Sequence, residues 1–309
     1  MKQQITFKNQ ASSWLNEKEK VVKKSTMAAY LLIVKKYLGP AFKYINEINE
    51  ASIQDFVDEK IKEGFNTKSI RDMLTVLRMI LKYVASKGYE TNKDFKIHFP
   101  KEYKDKEIPV MSLAHQKVLL KYLLNHVSPQ NLGLLICMNT GLRIGEVCAL
   151  KWEDIDIVRG YIRVEKTVSR LYWIEDFNNK KTELLISSPK TLNSFRTVPL
   201  PVIIQRIIKN NFKDRPGEFF ILTDSERPTE PRCYRNYFKK LLKILNLPDI
   251  KFHGLRHSFA TRCIESQCDY KVVSAILGHA DIATTLNLYV HPTYEQKRKC
   301  IEKMLKSLK

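Results

Sequence analysis

The sequence predicts a mainly α-helical protein carrying a small antiparallel β-sheet insertion, an α+β chain in two units. Three observations predict it. Apolar residues recur at helical spacing through the first ninety residues, a Lys-rich polar stretch interrupts the pattern between Gly88 and Pro109, and the period becomes extended between residues 161 and 200 before helices resume. At 309 residues with 44% hydrophobic side chains, the chain can bury two moderate cores.

In the first unit, helical spacing runs through Phe7 to Leu15, Tyr30 to Leu38, Ile53 to Ile61 and Ile70 to Val84, which gives about four helices. Thr67 and Ser69 are caps for the last of these, and Lys87-Gly88 ends it. The stretch KGYETNKDFKIHFPKEYKDKEIP that follows holds two prolines and little periodicity, and reads as a linker. Helices are expected near 112–126 and 130–139. Tyr161 to Val168, Thr182 to Ser187 and Arg196 to Leu200 are rich in β-branched and aromatic residues and predict a small sheet. Helical patterns return at 201–211, 231–245, 254–266, 270–277, 282–290 and 293–308.

The charge narrows the function. The chain has 53 Lys+Arg against 33 Asp+Glu, a formal net charge of +20, with an excess of seven in residues 1–100 and thirteen in the remainder. Both units are therefore expected to attract a polyanion. The six cysteines contain no CxxC pair and mostly sit in apolar helical patterns, which suggests a reducing compartment. MKQQITFKNQ lacks an apolar signal region and no run reaches membrane-spanning length, so a cytoplasmic protein is expected.

Candidate chemistry begins at TGLRIGEVCAL, residues 140–150. Gly141 can end one helix, while Arg143 and Glu146 share a face of the next and Ile144, Val147 and Leu150 point to a core. Alone, this pair is an ordinary surface salt bridge. In ISSPKTLNSFRTVPL, Lys190 sits at the entrance of a polar turn between two extended runs. FHGLRHSFA places His253, Arg256 and His257 within five residues. His253 and His257 would suit zinc by spacing, but Gly254 stands where a metalloprotease has its glutamate and no third ligand accompanies them. DYKVVSAILGHADIATTLNLYVH holds a helix from Asp269, a stop at Gly278, His279, a cap at Asp281, and a helix carrying Tyr289. By itself it reads as a non-catalytic helix-turn-helix.

Taken together, Arg143, Lys190, His253, Arg256, His279 and Tyr289 suit phosphoryl transfer. Two guanidiniums can clamp a phosphodiester and stabilise the extra charge of its pentacoordinate transition state. A tyrosine hydroxyl, with a pKa of about 10, needs a base or a cationic pocket to attack. His253 is the natural base by position, His279 a donor to the phosphate, and Lys190 a proton source for the departing 5′ oxygen.

TGLRIGE, SPKTLNSFRTVPL, HGLRH and LGHADIATTLNLY, in that order over residues 140–290, resemble the four motifs of the tyrosine recombinase (phage integrase) family. The resemblance implies a helical core-binding, SAM-like domain at 5–88, a linker at 89–107 and a catalytic domain at 108–309, closing as a C-shaped clamp on double-stranded DNA. It implies a 3′-phosphotyrosine at Tyr289, a Holliday junction resolved within a homotetramer, and no metal or nucleotide cofactor. Arg143 and Arg256 would be the phosphate clamp, with His253, His279 and Lys190 completing the site. Lys166 and Lys180-Lys181 are alternatives for the lysine, and His257 would support the fold. The resemblance also implies a terminal segment that docks on a neighbouring subunit. The first helix starts so early that an additional arm-binding domain is not expected. The long β insertion is more like mobile-element integrases, aided by accessory DNA-bending or excision factors, than like chromosome- or plasmid-dimer resolvases.

Overall fold

A computed structural model describes residues 5–100, 110–176, 179–188 and 195–289, with Arg298, Ile301, Glu302 and residues 304–306. The chain divides into two compact units, Met1–Asp105 with Leu171–Glu183, and Lys106–Arg170 with Leu184–Lys309.

The first unit is helical: α1 (Phe7–Glu19), α2 (Lys24–Ile33), a wider turn at Val34–Leu38, the single turn α3 (Gly39–Ala41), α4 (Glu50–Lys62) and α5 (Thr67–Ser86). The helix expected from Tyr30 starts six residues earlier, at Lys24, because Lys24, Ser25 and Thr26 at its start are polar and carry no apolar pattern. α5 is the spine. Ile70, Met73, Leu74, Leu77, Ile80, Leu81 and Val84 recur every three or four residues and are buried against Phe7, Trp14, Ile53 and Phe56. Its cap is Asn66, whose side chain accepts from the Ser69 amide, and not Thr67 or Ser69; an amide oxygen one residue before the first helical turn reaches that amide.

Part of the polar stretch after Gly88 is held by this unit. Lys96 donates its backbone N–H to Glu50, and His98 exchanges hydrogen bonds with Gln54. Arg78 and Arg71 stack on Phe95 and Phe99.

The second unit is built around α7 (Pro129–Thr140), which follows α6 (Leu113–Asn125) and buries residues all round: Leu132, Gly133, Leu134, Leu135, Ile136 and Cys137. A short α8 (Ile144–Cys148) leads to three antiparallel strands in the order β1 (Ile155–Asp156), β2 (Tyr161–Val164), β5 (Arg196–Pro199). Ile162 pairs with Val198 and places both side chains in the core. The extended run expected from Tyr161 to Val168 breaks at Glu165-Lys166. The chain then forms a second sheet, β3 (Thr167–Asp176) with β4 (Asn179–Ser187), longer than its β-branched content suggested, of which Leu171–Glu183 is grouped with the first unit. Arg170 anchors its base through two hydrogen bonds to Glu230.

After the sheets come α9 (Val202–Asn211), α10 (Pro231–Ile244), α11 (His253–Glu265), α12 (Tyr270–Leu277) and α13 (Ile282–Tyr289). Asp269 caps α12 and Asp281 accepts from Ala283, as the sequence suggested. Gly141 and Gly278 end α7 and α12 in left-handed conformations at φ 67° and 66°. At Gly141 an added Cβ would lie 2.7 Å from Leu277 and Phe259, so a side chain is excluded on space as well as on φ.

Only six residues of the expected terminal helix are described, all helical, with Ile301, Met304 and Leu305 exposed. Of the described cysteines, Cys137 and Cys148 are buried, whereas Cys233 and Cys268 are exposed rather than core residues; all are free thiols. No described helix is long and apolar enough to cross a membrane.

Gly133 tests how tightly α7 packs. In an exposed helix, Gly→Ala would stabilise by about 1 kcal/mol. Here the new methyl would overlap the Leu222 side chain and the Tyr234 hydroxyl, itself fixed by donating to the Gln130 carbonyl. Overpacking costs about 1–3 kcal/mol and wins. Gly133→Ala is expected to lower the stability of this unit by roughly 1–2 kcal/mol in urea unfolding.

Candidate active site

The C-terminal end of α12 organises the site. Its last carbonyls and that of its cap, Ile276, Leu277 and Gly278, each accept from a different arginine: Arg196 at 2.6 Å, Arg256 at 2.8 Å and Arg143 at 3.2 Å. A helix C-terminus presents unpaired carbonyls and the negative end of the helix dipole, so it draws cations. Arg256, on the first turn of α11, is buried and donates its other terminal nitrogen to the Gly141 carbonyl at the end of α7. Burial first, then the neighbouring Arg143, pushes the Arg256 guanidinium below its ordinary value.

Glu146 holds the other two arginines. Its carboxylate is 3% exposed and accepts from Arg143 at 2.8 Å and from Arg196 at 3.0 and 2.9 Å, and it also caps α8 by accepting from the Arg143 amide. The pair read in sequence as a surface salt bridge is thus part of a triad around a buried carboxylate, with Arg196 buried and Arg143 partly exposed. Burial raises the Glu146 pKa, but hydrogen bonds and charge from Arg196 and Arg143 outweigh it and hold the carboxyl below its usual range. Three guanidiniums and one carboxylate leave two positive charges, and the Arg143 side chain is still 37% exposed.

The histidines and tyrosine border this cluster. His257 Nδ1 lies 2.7 Å from the Tyr289 hydroxyl. His279 Nδ1 lies 2.8 Å from Thr285 Oγ1, which is fully buried, and its ring stands parallel to that of Tyr289 at 6.5 Å. His253 is exposed, edge-on to His257 at 4.5 Å, with no hydrogen bond to Tyr289 among the described residues. Although His253 is open to solvent on one side, the protein packed around its ring, then His257 and the arginines, lowers it to about 4; burial and the arginines do the same for His279. Both rings are neutral at pH 7. Tyr289 is buried in a small core with Ala260, Val273 and Leu277, and burial raises its pKa above the phenol value despite Arg256 and Arg143.

Of the six residues singled out in sequence, the structure brings five together: Arg143, His253, Arg256, His279 and Tyr289. Lys190 lies outside the described residues. Of its alternatives, Lys166 is engaged with Asp154 at 3.1 Å and Glu153 at 3.6 Å, and the side chains of Lys180 and Lys181 are not described. Sequence reading missed Arg196 and Thr285. Arg196 lies fifty residues from Glu146, so no spacing could reveal it; only its place at the head of RTVPL marked it. Among the described residues no group of three or more His, Cys, Asp or Glu could hold a metal ion.

Residues 114–296 match the phage integrase family, and residues 6–61 match the N-terminal SAM-like domain of phage integrases. A XerC-like tyrosine recombinase of Caldanaerobacter subterraneus subsp. tengcongensis is 27% identical over 97% of this chain and 83% of its own. The ICEBs1 integrase of Bacillus subtilis is 26% identical over 86% of this chain and 73% of its own. The fold is similar to that of the Tn1549 transposon integrase in complex with a circular intermediate DNA (TM-score 0.77, 20% identity, 97% of this chain and 99% of that one). It is also similar to a lambda integrase tetramer bound to a Holliday junction (TM-score 0.65, 17% identity, 95% and 80%). Fold and relatives together define an enzyme of site-specific DNA recombination, a tyrosine recombinase. The chain belongs to the phage integrase family.

Glu146 should set part of the acid stability. Its carboxyl is depressed in the folded state, so its contribution is present above the ordinary value of 4.5 and is lost as pH falls through the folded value. Glu146→Gln is expected to flatten the stability–pH curve in that acidic range. Because it leaves two guanidiniums without their carboxylate, it should cost about 3–5 kcal/mol at pH 7 in denaturant unfolding.

Proposed function

We propose that this recombinase is the integrase of a mobile DNA element, with Tyr289 as nucleophile and Arg143 and Arg256 as the clamp on the scissile phosphate. The observation that carries the reading is the convergence of these three residues with His253 and His279 on the end of α12. In this reaction the Tyr289 oxygen forms a bond to phosphorus, the bond to the 5′ oxygen breaks, and the 5′ hydroxyl leaves with a proton from Lys190. The phosphotyrosine keeps a diester, and attack by another strand's 5′ hydroxyl reverses the step. The arginines are already fixed by carbonyls and Glu146, so little reorganisation accompanies the transition state. His253 and His279, neutral at pH 7, supply hydrogen bonds to the phosphate oxygens without adding repulsion between cations.

The helical unit at 5–88 is the core-binding domain, 89–107 the linker and 108–309 the catalytic domain. The active form is a tetramer on paired core sites, acting in the cytoplasm with accessory DNA-bending or excision factors. Support comes from the ICEBs1 and Tn1549 relatives and from the β3–β4 insertion. Resolution of chromosome or plasmid dimers is the second reading, favoured by the XerC-like and XerD relatives, the latter from Rickettsia bellii at 27% identity over 88% of this chain.

Incubation with nicked genomic DNA, followed by sequencing of the ends covalently attached to protein, decides between them. Ends at a mobile-element junction support an integrase; ends at a chromosomal dimer-resolution site overturn it. Tyr289→Phe should abolish the adduct while leaving duplex binding nearly unchanged, since one hydroxyl adds little to a phosphate-dominated interface. Arg143→Ala and Arg256→Ala should slow cleavage by roughly 10²–10³-fold or more. Lys190→Ala should fail on ordinary DNA and recover on a substrate whose 5′ leaving group is a thiol, which leaves without a proton. A protein that neutralises about six to ten phosphates loses about 10³–10⁵ in affinity between 50 and 200 mM salt, and the full chain is expected to show a fall of that order.

A further inference from the structure

Two thiols meet outside the active site, where α11 turns into α12. A pair of backbone hydrogen bonds closes the turn: the Gln267 N–H donates to the Ile264 carbonyl at 3.0 Å, and the Cys268 N–H to the Cys263 carbonyl at 3.0 Å. Gln267 is left-handed at φ 60°. In a helix stop bonded this way, the third-last helical residue and the second residue beyond the cap come side by side, and the two positions commonly make an apolar contact. Here both are cysteine. Cys263 is half-buried against the small core of Ala260, Val273, Leu277 and Tyr289, whereas Cys268 is exposed, and the two side chains interact. An exposed sulfur buries little surface, so packing gives no reason for a thiol at Cys268.

We propose that Cys263 and Cys268 form a dithiol site that reacts with low-molecular-weight disulfides and closes as an intramolecular disulfide across the α11–α12 turn. The Cys268 thiolate attacks one sulfur of the small disulfide, the S–S bond breaks, and the first small thiol leaves with the Cys268 proton. A mixed disulfide remains on Cys268. Cys263 then gives up its proton and attacks the Cys268 sulfur; the mixed disulfide breaks and the second small thiol leaves with that proton. The chain loses two hydrogens and two electrons, and the small disulfide is reduced to two thiols.

The order of the steps follows from access. Burial, with Cys268 beside it, pushes the Cys263 thiol up to about 11, so Cys263 is shielded and slow to ionise while Cys268 meets solvent. The other described cysteines lack this arrangement. Cys137 and Cys148 are buried, and Cys233 is exposed but has only the buried Cys148 as a thiol neighbour. Closure protects what the turn supports. Cys268 directly precedes Asp269, whose side chain accepts from the Lys271 and Val272 amides and starts α12, the helix whose other end collects the arginines. A bulky charged adduct left on Cys268 would sit beside that cap, and the disulfide replaces it with a small apolar link.

The test equilibrates the full chain with mixtures of reduced and oxidised glutathione at neutral pH, then alkylates and digests it with trypsin. Cleavage after Arg262 and Lys271 puts both cysteines in one peptide, CIESQCDYK. That peptide should be lighter by two hydrogens and resist alkylation, while the Cys233 peptide carries glutathione. The folded chain should close with an effective thiol concentration at least about tenfold above that of the urea-unfolded chain, because the turn holds the sulfurs together. Cys263→Ser should stop at a glutathione adduct on Cys268, and Cys268→Ser should leave Cys263 unmodified. Equal closure in the folded and unfolded chain, or a parent protein that keeps glutathione on Cys268 with Cys263 free, overturns the proposal.

Discussion

Three arginines from distant parts of the chain, Arg143, Arg196 and Arg256, end on three successive carbonyls at the close of α12. Like charges gathered this way repel, and they stay together because each finds a fixed partial negative charge. The helix end provides three such charges, the Gly141 carbonyl a fourth, and Glu146 a full one shared by two of the guanidiniums. Everything else in the site follows from keeping that helix end in place. Gly278 must turn left-handed to close α12, and Gly141 must do so where Leu277 and Phe259 leave no room for a side chain.

The cluster holds two uncancelled positive charges before any ligand arrives. For an enzyme acting on a phosphodiester, that charge is complementary to the transition state, which carries one negative charge more than the ground state. It also fixes the protonation of its neighbours. His253 and His279 are kept neutral, so they donate hydrogen bonds without competing as cations. Tyr289 feels opposing effects, burial raising its pKa and the arginines lowering it, and burial wins. The site is therefore strong in electrophilic groups, bordered by neutral imidazoles, and its tyrosine hydroxyl is hydrogen-bonded to His257.

The β region shows how one element can serve two ends. β2 and β5 are direct neighbours in the three-stranded sheet, and β5 opens with Arg196, so sheet pairing delivers this arginine to Glu146 and to α12. β3 and β4 are inserted between those strands without disturbing their register. Arg170 and Glu230 lock the base of the insertion to the start of α10.

The sequence by itself determined the helical class, the extended region and the ends of most helices of the second unit. These are local matters: a 3.6-residue period, an Asp before a first turn, a Gly after a last one. It also determined the residue types of the site, because Arg143, His253, Arg256, His279 and Tyr289 sit in short motifs whose order resembles a known family. The tertiary structure alone decided who touches whom. Arg196 was an anonymous cation fifty residues from Glu146, Thr285 an ordinary helix residue, and Arg143–Glu146 a salt bridge indistinguishable from a surface pair. The sequence favoured His253 for the chemistry and His257 for the fold; only the packing of α13 on α11 placed the tyrosine hydroxyl against His257. Period and cap are written along the chain, whereas burial and long-range hydrogen bonds exist only once the helices have packed, and those two set the charge and proton inventory of the site.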